Sequence, residues 1–260
     1  MNSQPLTAIF LVIAPVILIT GLIKGFGKRF NFYEHILASA GSVLLSILVY
    51  LKLYSKVYGQ TAFDPFWKSF RQLFTSGVIN ADYILSMNHQ LGMFRNFDTA
   101  EQLAGFFIEQ MKMAIPAVLL IFSLAYGVFL FLILRLIMKK FGYSTQPVLP
   151  FEEWSLPRGM GMGLVVLLLI AIMGRGLGIS NFEVVQFTIA ALLSFMFTVL
   201  GLSVLWFFLK AGRVPAVIRW ILAILVYLFV GFGLPFLGMF DHIFHMRWKY
   251  ENKFLFKNGR

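Results

Sequence analysis

The sequence predicts an all-α polytopic membrane protein, a bundle of about six transmembrane helices with an amphipathic interfacial insertion between the second and third. The first observation behind this prediction is the composition. Of 260 residues, 59% are hydrophobic and 13% are charged, whereas soluble domains are about half apolar and about a quarter charged. Because a water-soluble fold of this length could not bury so much apolar surface, the composition indicates lipid as the solvent.

The second observation is a set of six apolar runs, each close to the roughly 20 residues that a spanning helix needs. Their length and their lack of two-residue alternation favour helices over strands. The first run follows an N-terminus without a basic segment or cleavage site, so we expect it to be retained. Pro15 predicts a kink within it. The predicted spans are 6–23, 35–53, 114–137, 159–177, 184–209 and 215–239.

The third observation is the segment 54–113, which is too polar to span and too aromatic for a simple linker. Within it, aromatic residues recur at helical spacing and two basic residues lie beside the stripe, as in an interfacial amphipathic helix. The predicted interfacial docking residues are Phe66, Phe70, Phe74, Lys68 and Arg71. A second helix is predicted to begin at Asp98, with Glu101 at capping-box-like spacing, and to continue towards Pro116.

The net charge of +11 comes mostly from basic residues that flank the apolar runs. This pattern is typical of loops anchored at anionic headgroups, and we expect no nucleic-acid partner because no soluble basic domain is present. The chain has no cysteine, which excludes disulfides, cysteine-ligated metals and cysteine nucleophiles.

Charge does not predict one orientation. The loops after the first, third and fifth spans hold ten basic residues, which places these loops inside and the N-terminus outside. With six spans the C-terminal tail would also be outside, yet its basic residues favour the inside. Either segment 54–113 dips into the membrane or one set of loops breaks the rule, and a cytoplasmic tail is slightly favoured. The basic residues of the tail are Arg247, Lys249, Lys253, Lys257 and Arg260.

Few ionisable residues lie near the predicted spans, and such residues are candidates for function. Arg175 ends the fourth span, while Glu183 and Gln186 share a face at the start of the fifth. Together they are the candidate ligand-binding residues of a polar pocket near one membrane surface. The alternative is that Arg175 extends to the interface and Glu183 interacts with the helix dipole.

A second polar cluster, Asp241, His242 and His245, is a weak candidate for a metal site because two histidines and a carboxylate can bind a divalent ion. The alternative is a structural helix end at the headgroup region. No catalytic residue is predicted, because neither a phosphate-binding loop nor a nucleophile elbow is present. We therefore expect no cofactor and no enzymatic activity.

Three stretches of the second half occur in an order that resembles a known family. They are 148–157, 200–210 and 237–247, and the last contains Gly238, Asp241 and Arg247 as Gly-x-x-Asp-x-x-x-x-x-Arg. In this order they resemble the YybS-like family of bacterial membrane proteins, a domain of unknown function, over 114–249. The resemblance implies a fold similar to the substrate-binding membrane subunits of energy-coupling-factor transporters, which hold a small molecule and pair with a separate ATPase module.

The sequence is expected to form a single integral membrane domain over 1–260, in the bacterial cytoplasmic membrane. A small-molecule binding or transport subunit is the first functional hypothesis, with the lipid bilayer and a separate ATPase, coupling module or other membrane protein as partners. A non-catalytic scaffold for envelope growth or signalling is the alternative, with the helix predicted over 63–74 as its docking element. An intramembrane enzyme ranks third, because convergent acid, base or metal groups are scarce.

Overall fold

The computed structural model describes residues 7–91, 97, 99–143, 145–156, 160–174 and 181–255. Every regular element in these residues is helical, which confirms the all-α prediction. Their α-helices are α1 (Ala14–Phe26), α2 (Phe32–Tyr58), α3 (Asp64–Thr75), α4 (Ala81–Leu91), α5 (Ala100–Lys140), α6 (Met160–Met173), α7 (Phe182–Ala211), α8 (Ala216–Val230), α9 (Leu234–Phe244) and α10 (Met246–Leu255).

Five helical segments of the described residues are long and apolar enough to cross a membrane. The prediction of a polytopic membrane protein is therefore confirmed. The predicted fourth span corresponds to α6, of which the structure describes 14 helical residues, and the ends of that prediction lie outside the described residues. The candidate spans are Ile9–Phe26, Phe32–Tyr58, Ala100–Lys140, Phe182–Ala211 and Ala216–Phe244.

The chain divides into two compact units. The first contains Met1–Phe26 and Ile36–Tyr143, and the second contains Gly27–His35 and Ser144–Arg260. In the first unit, a π-helix over Ile9–Ile13 leads into α1 just before the buried Pro15. Proline removes an N–H and crowds the carbonyl four residues earlier, so the wider π-helical turn accommodates it where the sequence predicted a kink.

Helix α5 differs from the sequence prediction, because one helix of 41 residues replaces a short helix and a separate span. At about 1.5 Å per residue it is roughly twice as long as the hydrocarbon core is thick, so its polar N-terminal part extends beyond the bilayer. The predicted cap, Asp98, lies outside the described residues. Thr99 caps the helix instead, accepting a hydrogen bond of 3.2 Å from the backbone N–H of Gln102. Pro116 lies inside the helix without ending it.

Helices α3 and α4 pack against this N-terminal part of α5 and form a small core of their own. The core consists of Phe74, Ala81, Leu85, Leu103 and Ala104, with Phe70 and Phe107 packed against it. The stripe predicted on α3 is therefore partly used within the chain, since Phe74 is buried. Phe66 and Lys68 remain exposed, and Arg71 forms an exposed ion pair with Glu101 at 3.6 Å.

Two glycines allow α9 to cross α7 in the second unit with almost no space between the backbones. A Cβ added to Gly201 would collide with the carbonyl oxygen of Leu234, and one added to Gly238 would collide with that of Phe197. Small residues at such crossings are typical of membrane helix pairs. Leu193, Phe197 and Leu200 form the neighbouring apolar core on α7.

The predicted sixth span, 215–239, is not one continuous helix. Helix α8 ends at Val230, a 3₁₀ turn follows over Gly231–Gly233, and α9 then begins. Helix α9 ends at Phe244, and the left-handed conformation of the next residue, His245 (φ 52°), starts the turn into α10.

The segment from α8 to α10 starts at the C-terminal end of α7 and comes back to that same end. At its start, the rings of Trp220 and Trp206 lie 4.9 Å apart. Near its end, the ring of Tyr250 lies 5.9 Å from Phe207 and 5.5 Å from Phe208. Since Tyr250 follows the end of α9 by six residues, a helical path of about 9 Å, α9 cannot end at the opposite membrane surface.

Candidate functional site

The most elaborate polar cluster of the described residues is built around Arg247 at this end of the second unit. Its Nε donates to Asp241 Oδ2 at 2.9 Å, and its Nη2 donates to the same oxygen at 2.7 Å and to the Trp154 carbonyl at 3.0 Å. Its Nη1 donates to the Glu152 carbonyl at 2.6 Å and to Ser203 Oγ at 3.0 Å. All five guanidinium N–H groups therefore have an acceptor.

The turn at the end of α9 positions this pair. Asp241 lies in the last turn of α9, and the left-handed residue His245 reverses the chain so that Arg247 comes back towards it. The backbone N–H of Arg247 donates to Asp241 Oδ1 at 3.1 Å, so both carboxylate oxygens are occupied. The Asp241 and Arg247 side chains are only 9% and 13% exposed, respectively. Such a charge pair is stable away from water only when its remaining groups are hydrogen-bonded, as they are here.

The third component is the loop before α6, which contains a short 3₁₀ turn over Phe151–Glu153. Ser203 Oγ on α7 donates to the Phe151 carbonyl at 2.7 Å, and the Trp154 indole N–H donates to the Leu149 carbonyl at 3.1 Å. The Trp154 ring also packs against Phe32, 5.4 Å away, which joins the start of α2 to the same loop. Arg247 thus connects this loop, α7 and the end of α9.

A second group of charges lies beside the loop, where α7 ends and α8 begins. Lys210 forms an ion pair with the Glu152 carboxylate. The hydrogen bond from Lys210 is the main cause that lowers the pKa of Glu152 below its ordinary value of 4.5, against the opposing effect of burial. The Arg219 guanidinium lies 5.1 Å from the centre of the Trp206 ring and also favours the ionised carboxylate.

The lowered pKa of Glu152 predicts a small dependence of stability on pH. The ion pair contributes fully above the ordinary value of 4.5, and this contribution is lost as pH falls through the lowered pKa. Because Lys210 is well exposed, we expect at most about 1 kcal/mol. The change is Glu152→Gln, and the measurement is thermal unfolding in detergent between about pH 6 and pH 3. The wild type should be more stable at the higher pH and equal to the variant at the lower; a constant difference would contradict the assignment.

The predicted ligand-binding residues are only partly described. Glu183 lies exposed in the first turn of α7, and Gln186 is half-buried one turn later. Arg175 lies outside the described residues, so the polar pocket of these three residues stays a prediction.

The weak metal candidates are separated by the end of α9. His245 lies beyond the helix rather than on its face, the carboxylate of Asp241 is occupied by Arg247, and the ring of His242 lies 6.5 Å from that of Phe197. Among the described residues, no three histidine, cysteine, aspartate or glutamate side chains are grouped to hold a metal ion.

Sequence reasoning did not assign roles to Glu152, Ser203, Lys210 or Arg219. The first three occur in the stretches that carry the family resemblance, and Asp241 and Arg247 occur in the last of them. Those stretches are the parts of the second unit that contact one another, so the family resemblance already indicated the segments that form the cluster. What sequence could not supply is the pairing of Arg247 with carbonyl groups more than 90 residues earlier.

The chain was compared with known protein families, curated proteins and solved structures. A family model described as predicted membrane protein (DUF2232) matches residues 2–242, which includes both halves of the chain. No curated protein and no solved structure matches the chain. With five candidate spans and a match over nearly its whole length, the chain belongs to the DUF2232 family of predicted membrane proteins.

Proposed function

We propose that the chain is a non-enzymatic subunit of the bacterial cytoplasmic membrane that binds or transports a small molecule. The observation that supports this proposal is the helix break at Gly231–Gly233. Helix α8 has 15 residues, so the break lies about 22 Å from the basic turn at its start. This is well within a hydrocarbon core that is about 30 Å thick.

Irregular backbone at that depth is tolerated where it packs against protein or lines a water-filled cavity. Secondary transporters place such interrupted helices at their substrate sites, because the free backbone groups at the helix ends bind ligand atoms. In this chain Phe232 is 79% exposed at the break, so no described residue covers it. A substrate path or a second membrane subunit would cover this exposed residue.

The family resemblance of the second half favours the same proposal. The YybS-like family and the substrate-binding subunits of energy-coupling-factor transporters imply a membrane component without its own ATPase, paired with a separate coupling module. This analogy is at the level of fold. It predicts a separate coupling module as a partner, which the helix break alone does not.

Native mass spectrometry of the protein extracted from its own membranes tests the proposal, because it detects a bound small molecule and a bound protein together. We expect a reproducible small-molecule adduct. A matched sample carrying Phe232→Trp, which fills space at the break, should lose that adduct while its thermal unfolding stays close to wild type. Retention of a protein partner without any small molecule, in both samples, would contradict the proposal and favour the scaffold.

The scaffold alternative has one observation of its own. On α3, the exposed Phe66 and Lys68 are neighbours of the buried part of the stripe. An exposed aromatic and basic surface of this kind suits docking on a membrane or partner. If the chain is a scaffold, substitution of Phe66 and Lys68 should release a retained protein partner. If the chain binds a small molecule instead, the same substitution should leave the small-molecule adduct unchanged.

The second unit also favours one orientation. The turn between α7 and α8, the helix α10 and the loop before α2 all meet at the same end, the loop through a 3.2 Å hydrogen bond from the Gln146 N–H to the Gly27 carbonyl. Each of them is basic, as in Lys28, Arg213 and Lys249. A return of the last apolar segment to the side where it starts would remove the conflict seen in the sequence. By the positive-inside rule we place this end in the cytoplasm.

Labelling of single cysteines checks this orientation, and the chain is suited to it because it contains no cysteine. In intact cells, a membrane-impermeant maleimide should label Val78→Cys, which follows the span of α2. Glu153→Cys and Trp248→Cys should react only after permeabilisation. The three positions are exposed, so accessibility within the protein is matched. Labelling of Trp248→Cys in intact cells, with Glu153→Cys protected, would place the tail on the other side.

A further inference from the structure

We propose that the turn between α7 and α8 binds the phosphate group of an anionic phospholipid, through Arg213, Arg219 and the first backbone N–H groups of α8. This inference is independent of the proposed transport function. Lys210, Arg213, Arg219 and the start of α8 together form this turn site.

The turn site holds more positive charge than the described residues neutralise. Glu152 is the carboxylate beside it, and Glu152 forms its ion pair with Lys210. Among the described residues, Arg213 and Arg219 form no ion pair. Two arginines within seven residues are therefore left for an anion, and a guanidinium binds phosphate through two parallel N–H groups.

Arg219 also has a donor without an acceptor. Its guanidinium is held against the Trp206 ring, and its Nε atom is buried with no hydrogen-bond partner in the described residues. Buried donors in native proteins nearly always have a partner, so an orphaned one points to a group outside the chain. A phosphate oxygen is an acceptor of the right charge.

The start of α8 adds backbone donors between the two arginines in the sequence. Pro215 precedes the helix without a side-chain cap, and its first turn contains no acidic residue. The first N–H groups of a helix have no carbonyl partner within it, and together with the helix dipole they favour an anion. The neighbouring residues Ala216 and Val217 are exposed, so the start of α8 lies at the surface of the second unit.

The surroundings indicate a lipid rather than free phosphate. Trp206 and Trp220 lie against each other at the turn, and tryptophan is enriched where membrane meets water. Trp220 is 62% exposed, and Val217 and Ile221 beside it are exposed apolar side chains. An anion site directly above an exposed apolar surface fits an amphiphile, whose phosphate binds the cations while its acyl chains cover the helix.

Native mass spectrometry with added phosphatidylglycerol tests the turn site, with phosphatidylcholine as the zwitterionic comparison. We expect wild type to retain phosphatidylglycerol preferentially. Each arginine that contacts the bound phosphate is expected to contribute at least roughly fivefold to binding. Arg213→Gln should therefore weaken retention about fivefold, and Arg213→Gln with Arg219→Gln more strongly. Because Arg219 also packs on Trp206, the exposed single variant Arg213→Gln keeps the test valid if the double variant unfolds.

The matched control is Lys139→Gln with Lys140→Gln, an exposed basic pair at the end of α5. Its retention of phosphatidylglycerol should equal that of wild type. Equal loss in the control and in Arg213→Gln, or equal retention of the two lipids by wild type, would overturn the proposal. Inorganic phosphate at the concentration of the lipid should not displace it; full displacement would overturn the lipid assignment in favour of free phosphate.

Discussion

Replacing Arg247 by lysine should lower the free energy of unfolding by about 3–5 kcal/mol, as expected when one member of a buried, hydrogen-bonded ion pair is removed. The five N–H groups of Arg247 reach four residues in three separate segments. Lysine carries three donors on a single nitrogen and cannot span these acceptors. It would leave Asp241, a buried carboxylate, without two of its hydrogen bonds and would leave the loop before α6 unattached.

The measurement is thermal unfolding of the purified protein in detergent. The readout is the fraction of protein that stays monodisperse after heating. Lys249→Ala is the matched control, since Lys249 is an exposed cation two residues away on the same helix. It should unfold like wild type. Asp241→Asn should be as destabilising as Arg247→Lys, because it leaves the guanidinium buried without its counter-charge.

A double variant separates the ion pair from general damage. Asp241→Leu with Arg247→Met removes both charges, and we expect it to be much more stable than the sum of the two single changes, because neither charge is then left unpaired. Additive losses would contradict the idea that the pair acts as one unit and would assign the effect to local packing.

The sequence predicted the class of fold because apolar length and composition are properties of single segments. The spans near 35–53 and 184–209 could be placed from those properties, since a helix in lipid must satisfy its own backbone. The same local properties failed at α5, where Thr99 rather than Asp98 caps a single helix that continues through Pro116. Packing of α3 and α4 against its polar part stabilises a helix that hydropathy alone divides in two.

The cluster around Arg247 could be predicted only in part. Gly238, Asp241 and Arg247 stood out as a spaced pattern of the family resemblance, while Asp241 with His242 and His245 stayed a weak metal candidate until the helix end before His245 was known. The left-handed conformation of His245 depends on the turn in which it lies. A histidine in the sequence does not by itself predict that conformation. Likewise, the return of the chain to the start of α8 depends on contacts such as Tyr250 with Phe208, which span more than 40 residues.

The crossing of α7 and α9 should be nearly as sensitive as the ion pair, although only a methyl group is added. In Gly238→Ala the new Cβ would collide with the Phe197 carbonyl oxygen and lie 2.8 Å from the Gly201 backbone nitrogen. Neither atom belongs to a flexible side chain, so one of the helices must move. We expect a loss of about 3 kcal/mol, at the upper end of the usual cost of overpacking. Thermal unfolding and the yield of monodisperse protein measure it.

Gly41→Ala is the matched control for this crossing, because Gly41 lies in α2 with open space around its missing Cβ. Alanine is the better helix former by up to about 1 kcal/mol, so this variant should be as stable as wild type or slightly more so. Gly201→Ala should destabilise like Gly238→Ala, and the double variant should lose less than the sum, since one separation of the two helices relieves both collisions. Equal stability of Gly238→Ala and Gly41→Ala would show that α9 does not lie against α7 and would contradict the close crossing of the two helices.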